Sequence, residues 1–198
     1  QLAHVYSVSV TADSSQAIDG ANLVILAVKP QDMHSVRGTL PEDTLLLSIM
    51  AGVPIRNIVA EFQHERVVRV MPNLPAAANA GMSVWTSTPT VSPDQHDLTR
   101  DLLGAIGREF NVDDESKLDM ATAVSGSGPG YVYLFMEAMI EGAVAIGLPR
   151  TQAEDMVIQT VYGAAVYAQE SGHKPAELRG RVTSPAGTTA AGLLELEK

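Results

Sequence analysis

The 198-residue sequence contains no cysteine. That excludes disulfides, thiolate metal sites and cysteine nucleophiles, and it is compatible with a reducing, cytoplasmic location. Basic residues are the minority charge: 13 Lys and Arg against 23 Asp and Glu leave a formal net charge of −10. With no block of Lys or Arg to offset this, neither nucleic acid nor an acidic membrane surface is expected as a partner. No run approaches the roughly 18 uncharged apolar residues of a membrane span, and no signal-peptide pattern opens the chain. The histidines, at positions 4, 34, 64, 96 and 173, are scattered without metal-ligand spacing. Each of them is expected at the surface. No two carboxylates stand out as an acid/base dyad, and no metal site is expected. Internal repeats and low-complexity tracts are lacking too. What remains, with 45% hydrophobic and 18% charged residues, is an ordinary globular composition, long enough for one large domain or two modest ones.

Read in order, the first half has the rhythm of an α/β layer. Val5–Val10 alternates and predicts an edge strand. Ser14–Asp19 predicts a short helix closed by Gly20. Leu23–Val28 is a continuous apolar run, as in a parallel strand buried on both faces, and Lys29-Pro30 ends it. A short helix is expected near Gln31–Val36, a second buried strand at Leu45–Ile49, a helix at Ile55–Phe62 and a third core strand at Val67–Met71. Strand, turn and helix at this spacing imply βαβ units and a doubly wound, Rossmann-like sheet. Met82–Thr86 and Glu109–Val112 predict two further strands around an amphipathic helix at Pro93–Ile106. The acidic turn Asp113–Ser116 marks the expected boundary, giving domains 1–114 and 115–198.

Beyond it the pattern is helical. Tyr131–Ile146 is apolar nearly all round, with Glu137 and Glu141 its only charges. A helix greasy on every side must be covered on every side, so a second subunit is expected against it. Gly147 stops this helix, and Thr151-Gln152-Ala153-Glu154 predicts a capping box for the next, which runs to Ser171. Short helices are expected at Ala176–Gly180 and Ala190–Glu197.

The glycines of Ser125-Gly126-Ser127-Gly128-Pro129-Gly130-Tyr131 suggest a phosphate loop but fail its tests. No core strand precedes them, position 131 is Tyr where a glycine is needed, and no Lys follows. Neither serine has the flanking glycines of a nucleophile elbow. A tight opening turn is predicted instead, with Ser127 as N-cap of the apolar helix and Pro129 in its first turn. More telling are the strand ends. Ligands of open α/β sheets bind beyond the carboxyl ends of the strands, where Lys29-Pro30, Ala51-Gly52 and Pro72-Asn73 all fall. Ser184-Pro185-Ala186-Gly187-Thr188-Thr189 offers hydroxyls and backbone N–H groups at a helix start. This suits a small carboxylate, and equally suits an elaborate N-cap.

Together these stretches resemble pyrroline-5-carboxylate reductase. The resemblance rests on Ala27-Val28-Lys29-Pro30-Gln31, Ala51-Gly52-Val53, Arg69–Ala76, Asp119–Tyr131, Gly147–Arg150 and Val182–Gly192, in the family's order over nearly the whole chain. Leu74, Gly130 and Ala186 depart from the family's usual Thr, Ala and Gly. The resemblance implies reduction of 1-pyrroline-5-carboxylate to L-proline with NADPH or NADH, by a two-domain enzyme dimerised through its helical domain; decamers of five dimers occur in the family. It implies a cofactor held along Ala27, Val28, Lys29, Pro30, Ala51, Gly52 and Asn73, with Ser14 on the adenine side. The substrate carboxylate would be held by Ser184 and the N–H groups of Gly187 and Thr188, and the ring nitrogen by the Thr189 hydroxyl, the expected catalytic group. Because the family's glycine-rich βαβ unit precedes the strand at Leu23, a Gly-x-Gly-x-x-Gly or Ala motif is expected upstream of Gln1, and a last helix beyond Lys198. Two alternatives stay open. One is a β-hydroxyacid-type dehydrogenase, which would rely on a Lys in the helical half, although Lys117 and Lys174 fall in turns. The other is a non-catalytic dimerisation or binding module.

Overall fold

The computed structural model describes residues 2–198; the start at Gln1 and the side chains of Leu2 and His4 lie outside the described residues. Contacts divide the chain into two compact units, residues 1–131 and 132–198.

The first unit is built on a five-stranded sheet in the order β1 (Leu23–Leu26), β2 (Leu45–Ser48), β3 (Val67–Met71), β4 (Gly81–Ser87), β5 (Gly107–Asn111). The first three strands are parallel, β4 is antiparallel to β3, and β5 is parallel to β4. The reversal follows from the link. Residues 72–80 form one 3-10 turn, Leu74–Ala78, with no room for the crossover helix that a parallel return requires. Residues alternate between two apolar layers. Leu46 and Val67 face one side with Ile18 of α2 (Ser14–Ile18), Met33, and Ile58 of α3 (Ile55–Phe62). Leu45, Leu47, Val68, Val70 and Trp85 face the other with Leu103 of α4 (Pro93–Gly104). Helices on both faces of a largely parallel sheet are the expected doubly wound plan. At the far edge Gly107 touches Gly81 so closely that a Cβ at position 107 would lie 2.2 Å from the Gly81 carbonyl oxygen. Its φ of +146° admits only glycine without strain.

Several local expectations fail for identifiable reasons. Val5–Val10 forms no strand: α1 (Leu2–Tyr6) ends at Ser7, whose φ is +54°, and Val8 and Val10 are exposed. Alternation alone cannot make a strand where no neighbour supplies ladder hydrogen bonds, and among the described residues β1 pairs only with β2. The same edge position leaves β1 shorter than expected and open on one face, with Ile25 46% exposed. His64 is buried, not superficial, because its Nε2 meets the Thr44 carbonyl oxygen at 2.7 Å. Ser127 caps nothing. The helix α5 (Ser116–Ala121) runs through a π-helical turn, Thr122–Gly126, directly into α6 (Gly128–Ala145), and Ser127 already has helical backbone angles. Thr151 likewise lies inside α7 (Arg150–Ser171), whose N-cap is Pro149 with no side-chain cap. The proline's extended ψ of 137° starts the helix ahead of the expected box.

The second unit takes in most of α6, then α7, α8 (Pro175–Arg181) and α9 (Thr188–Leu196). A bidentate pair, Arg150 Nη1 and Nη2 to the Glu141 carboxylate at 2.8 and 3.0 Å, staples α6 to α7 across the Gly147 turn. Hydrogen bonding from Arg150 holds the Glu141 carboxyl below its ordinary range. No residue of α6 is buried within the chain: Tyr131, Tyr133, Leu134 and Phe135 all stand exposed. None of the helices among the described residues is long and apolar enough to cross a membrane.

Candidate active site

Because β1, β2 and β3 run parallel, their carboxyl ends lie along one rim of the sheet. The structure brings Ala27–Pro30, Ala51-Gly52 and Pro72-Asn73 to that rim, as their positions in the sequence predict. Ala27, Lys29, Pro30, Ala51 and Gly52 are exposed and Val28 is half-buried. Gly52, at φ +71°, has nothing within 4 Å of where a Cβ would stand. Small side chains and open backbone along three consecutive strand ends fit a dinucleotide laid across the rim. Ser14 is the first residue of α2. Its hydroxyl donates to the Arg37 carbonyl and accepts from the Arg37 N–H, both at 2.8 Å, and so anchors the 36–38 loop to α2.

Two features of the rim lie outside the sequence reading. Arg69, in the middle of β3, is buried, its side chain only 5% exposed, with Nη1 2.8 Å from Glu115 Oε1 and Nη2 3.2 Å from Asp119 Oδ1. The same Glu115 oxygen accepts the N–H of Ile55, the first residue of α3, at 2.7 Å. The signal was present: a lone cation inside Val67-Val68-Arg69-Val70-Met71 requires buried counter-charges. The second is the side chain of Asn73, whose Oδ1 accepts from Met82 N (2.9 Å) and whose Nδ2 donates to the Ser125 carbonyl (3.0 Å).

In the helical unit α9 begins at Thr188, two residues earlier than expected, with Gly187 as its N-cap. Thr188 and Thr189 therefore lie in its first turn, where N–H groups have no intrahelical partner. The Gly187 N–H is already used, donating to the Ser184 carbonyl at 3.0 Å. A Cβ on residue 187 would stand 2.4 Å from Ser184 Oγ, so the glycine lets that hydroxyl sit over the helix start. Threonines inside helices or just past their ends here bond back four residues, as Thr99 to Gln95, Thr160 to Met156 and Thr183 to Arg179. Thr189 has no helical carbonyl behind it, and its hydroxyl makes no hydrogen bond among the described residues. An unspent hydroxyl beside unspent N–H groups can receive a small ligand that has both an anion and a second polar atom.

Ala186 takes a left-handed φ of +57°. That conformation costs a non-glycine residue roughly 1–2 kcal/mol, partly offset by the lower chain entropy of alanine. Ala186→Gly is therefore expected to raise stability by up to about 1 kcal/mol, read as a higher denaturation midpoint at unchanged m-value.

A rim of this kind, followed by a helical unit, is the plan of a Rossmann-like nucleotide-binding protein, and the comparisons narrow the class to NADP-dependent oxidoreductases. Residues 115–198 match the family model described as pyrroline-5-carboxylate reductase dimerisation, and residues 1–52 match the one described as NADP oxidoreductase, coenzyme F420-dependent. The pyrroline-5-carboxylate reductase of Synechocystis sp. is 40% identical over 100% of this chain and 74% of its own length. That of Pisum sativum is also 40% identical, over 96% of this chain and 71% of its own. Among solved structures, the reductase of Coxiella burnetii superposes with a TM-score of 0.87 at 34% identity, over 98% of this chain and 74% of its own. The Plasmodium falciparum reductase with NADP bound superposes at 0.83 and 28% identity, over 94% and 72%. The chain belongs to the pyrroline-5-carboxylate reductase family.

Proposed function

We infer that this protein reduces 1-pyrroline-5-carboxylate to L-proline with NADPH or NADH, the last step of proline biosynthesis. The observation that carries this is the 40% identity to a reductase along the whole chain. The β-hydroxyacid alternative finds no support: Lys117 pairs with Asp113 at 3.1 Å on the exposed start of α5, and Lys174 is the N-cap residue of α8.

Bound cofactor supplies the hydride that adds to the C=N carbon. Ala27–Pro30, Ala51-Gly52 and the Asn73 loop would hold it along the rim, with Ser14 toward the adenine side. In the helical unit the substrate carboxylate is held by the Ser184 hydroxyl and the N–H groups at Gly187 and Thr188. Thr188 bears more of this load, because the Gly187 N–H also closes its turn on Ser184. The Thr189 hydroxyl holds the ring nitrogen. As the new C–H bond forms, the C=N π pair moves onto that nitrogen, which carries a proton taken from water. No strong acid is needed beside it, so fixing distance and orientation supplies much of the rate. NADPH oxidation by the full-length protein on adding 1-pyrroline-5-carboxylate is the direct test; no oxidation would refute the assignment.

The active form is a homodimer joined through the helical domain, residues 115–198, with the cofactor domain at 1–114. The support is α6, apolar on every side and without a buried residue in the single chain. Leu134→Glu is expected to leave the sheet intact and to halve the apparent mass on gel filtration. An unchanged elution volume would place the subunit contact elsewhere. The cysteine-free sequence fits a cytoplasmic enzyme.

A further inference from the structure

Asparagine is among the best N-cap residues, and Asn73 occupies the N-cap position of the turn Leu74–Ala78, yet its side chain caps nothing there. It reaches instead to two other segments, Met82 at the start of β4 and the Ser125 carbonyl in the π-helical turn. The reason lies four residues beyond Ser125. In an α-helix the Ser125 carbonyl would accept from the N–H of residue 129, but residue 129 is proline, which has no N–H and whose ring crowds the carbonyl four residues back. The chain widens there into the π turn, closed by Ser127 N–H to Thr122 O at 2.8 Å, while the first N–H after the proline, at Gly130, goes to Ser127 O at 2.9 Å. The Ser125 carbonyl is left without a helical donor, half-buried, and the Asn73 amide takes it.

We propose that Asn73 is a positioning residue for the reduction: through the carbonyl that Pro129 frees, it fixes Ser125–Ser127 to the carboxyl end of β3, and it does not hold the cofactor by its own amide. Within the first unit the loop after β3, the start of β4 and the π turn are thereby tied through one side chain, with the Met82 N–H as the second tie. This rests on the reductase assignment for its kinetic consequence, but not for its structural one.

The test uses full-length protein with Asn73→Asp and Asn73→Ala. The aspartate keeps an oxygen for the Met82 N–H and sets a second oxygen against the Ser125 carbonyl. Amide hydrogen exchange at Ser127, the N–H that closes the π turn, is expected to quicken by about tenfold in both variants, the scale of one lost hydrogen bond. In NADPH fluorescence titration the dissociation constant stays within about twofold of wild type, while kcat falls by about tenfold. Adding Pro129→Ala to Asn73→Ala restores a helical N–H for the Ser125 carbonyl, and protection at Ser127 returns. A dissociation constant raised tenfold with exchange unchanged would make Asn73 a direct cofactor ligand and overturn the proposal. So would unchanged exchange and kcat together, or failure of Pro129→Ala to restore protection. If the wild-type protein does not reduce the imine, the function assignment fails, and the exchange and rescue measurements still decide the clamp.

Discussion

Thr189→Ala in the full-length enzyme is expected to lower kcat by on the order of 100-fold, the usual cost of removing one hydrogen-bonding group aimed at a reacting atom. That corresponds to about 2.7 kcal/mol of transition-state stabilisation. The expectation follows from where the hydroxyl is left. A threonine one turn into a helix returns its hydroxyl to the backbone, whereas Thr189, in the first turn of α9, has nothing behind it and is only half-buried. Its loss costs the fold no hydrogen bond, so the melting temperature and oligomeric state should not move. Thr189→Ser keeps the oxygen and should retain most of the rate. A Thr189→Ala enzyme with wild-type kcat would remove the residue from the reaction. A variant that loses rate and stability together would make it a structural cap.

How far the site could be read from the sequence depends on whether its determinants are local. The strand ends could be read because apolar runs such as Leu45–Ser48 and Val67–Met71 are buried on both faces and stopped by Gly or Pro. Once those strands are parallel, Ala51-Gly52 and Pro72-Asn73 must share a rim. The helix start at Ser184–Thr189 could be read because hydroxyls, Gly and Pro are local signals. The π turn could not. It arises from Pro129 acting on Ser125 and is completed by Asn73, more than fifty positions earlier in the chain. Val5–Val10 failed for the converse reason, since its local pattern had no partner strand to answer it. Within Ser125–Tyr131 the proline, not the three glycines, determines the geometry.

Arg69 shows the same dependence on distant partners, and disrupting its cluster is the perturbation of stability expected to be largest. Glu115→Ala leaves a guanidinium that is 5% exposed with only Asp119, which is itself mostly in solvent. It also removes the acceptor of the Ile55 N–H at the start of α3. Breaking one side of a buried pair costs about 3–5 kcal/mol. Here Asp119 remains and Glu115 is partly solvated, so a loss of about 2–3 kcal/mol is expected. In a chain of this size that lowers the melting temperature by roughly 5–10 °C. Arg69→Met should cost less, although it removes the same ion pair, because the carboxylates it leaves can turn to water while the methionine packs within the sheet. This order, Glu115→Ala worse than Arg69→Met, separates desolvation from simple loss of attraction; the reverse order would mean that attraction dominates. The position of Ile55 adds a functional reading to the same variant. Residues Ala51–Pro54 lead straight into α3, so loosening its first turn frees one of the three rim loops. Glu115→Ala should therefore raise the KM for NADPH severalfold, while kcat at saturating cofactor stays near wild type. In the Asn73 variants the split is the opposite one, and the two clamps thus separate: Glu115 steadies the loop that leads into α3, and Asn73 steadies the turn that leads into α6.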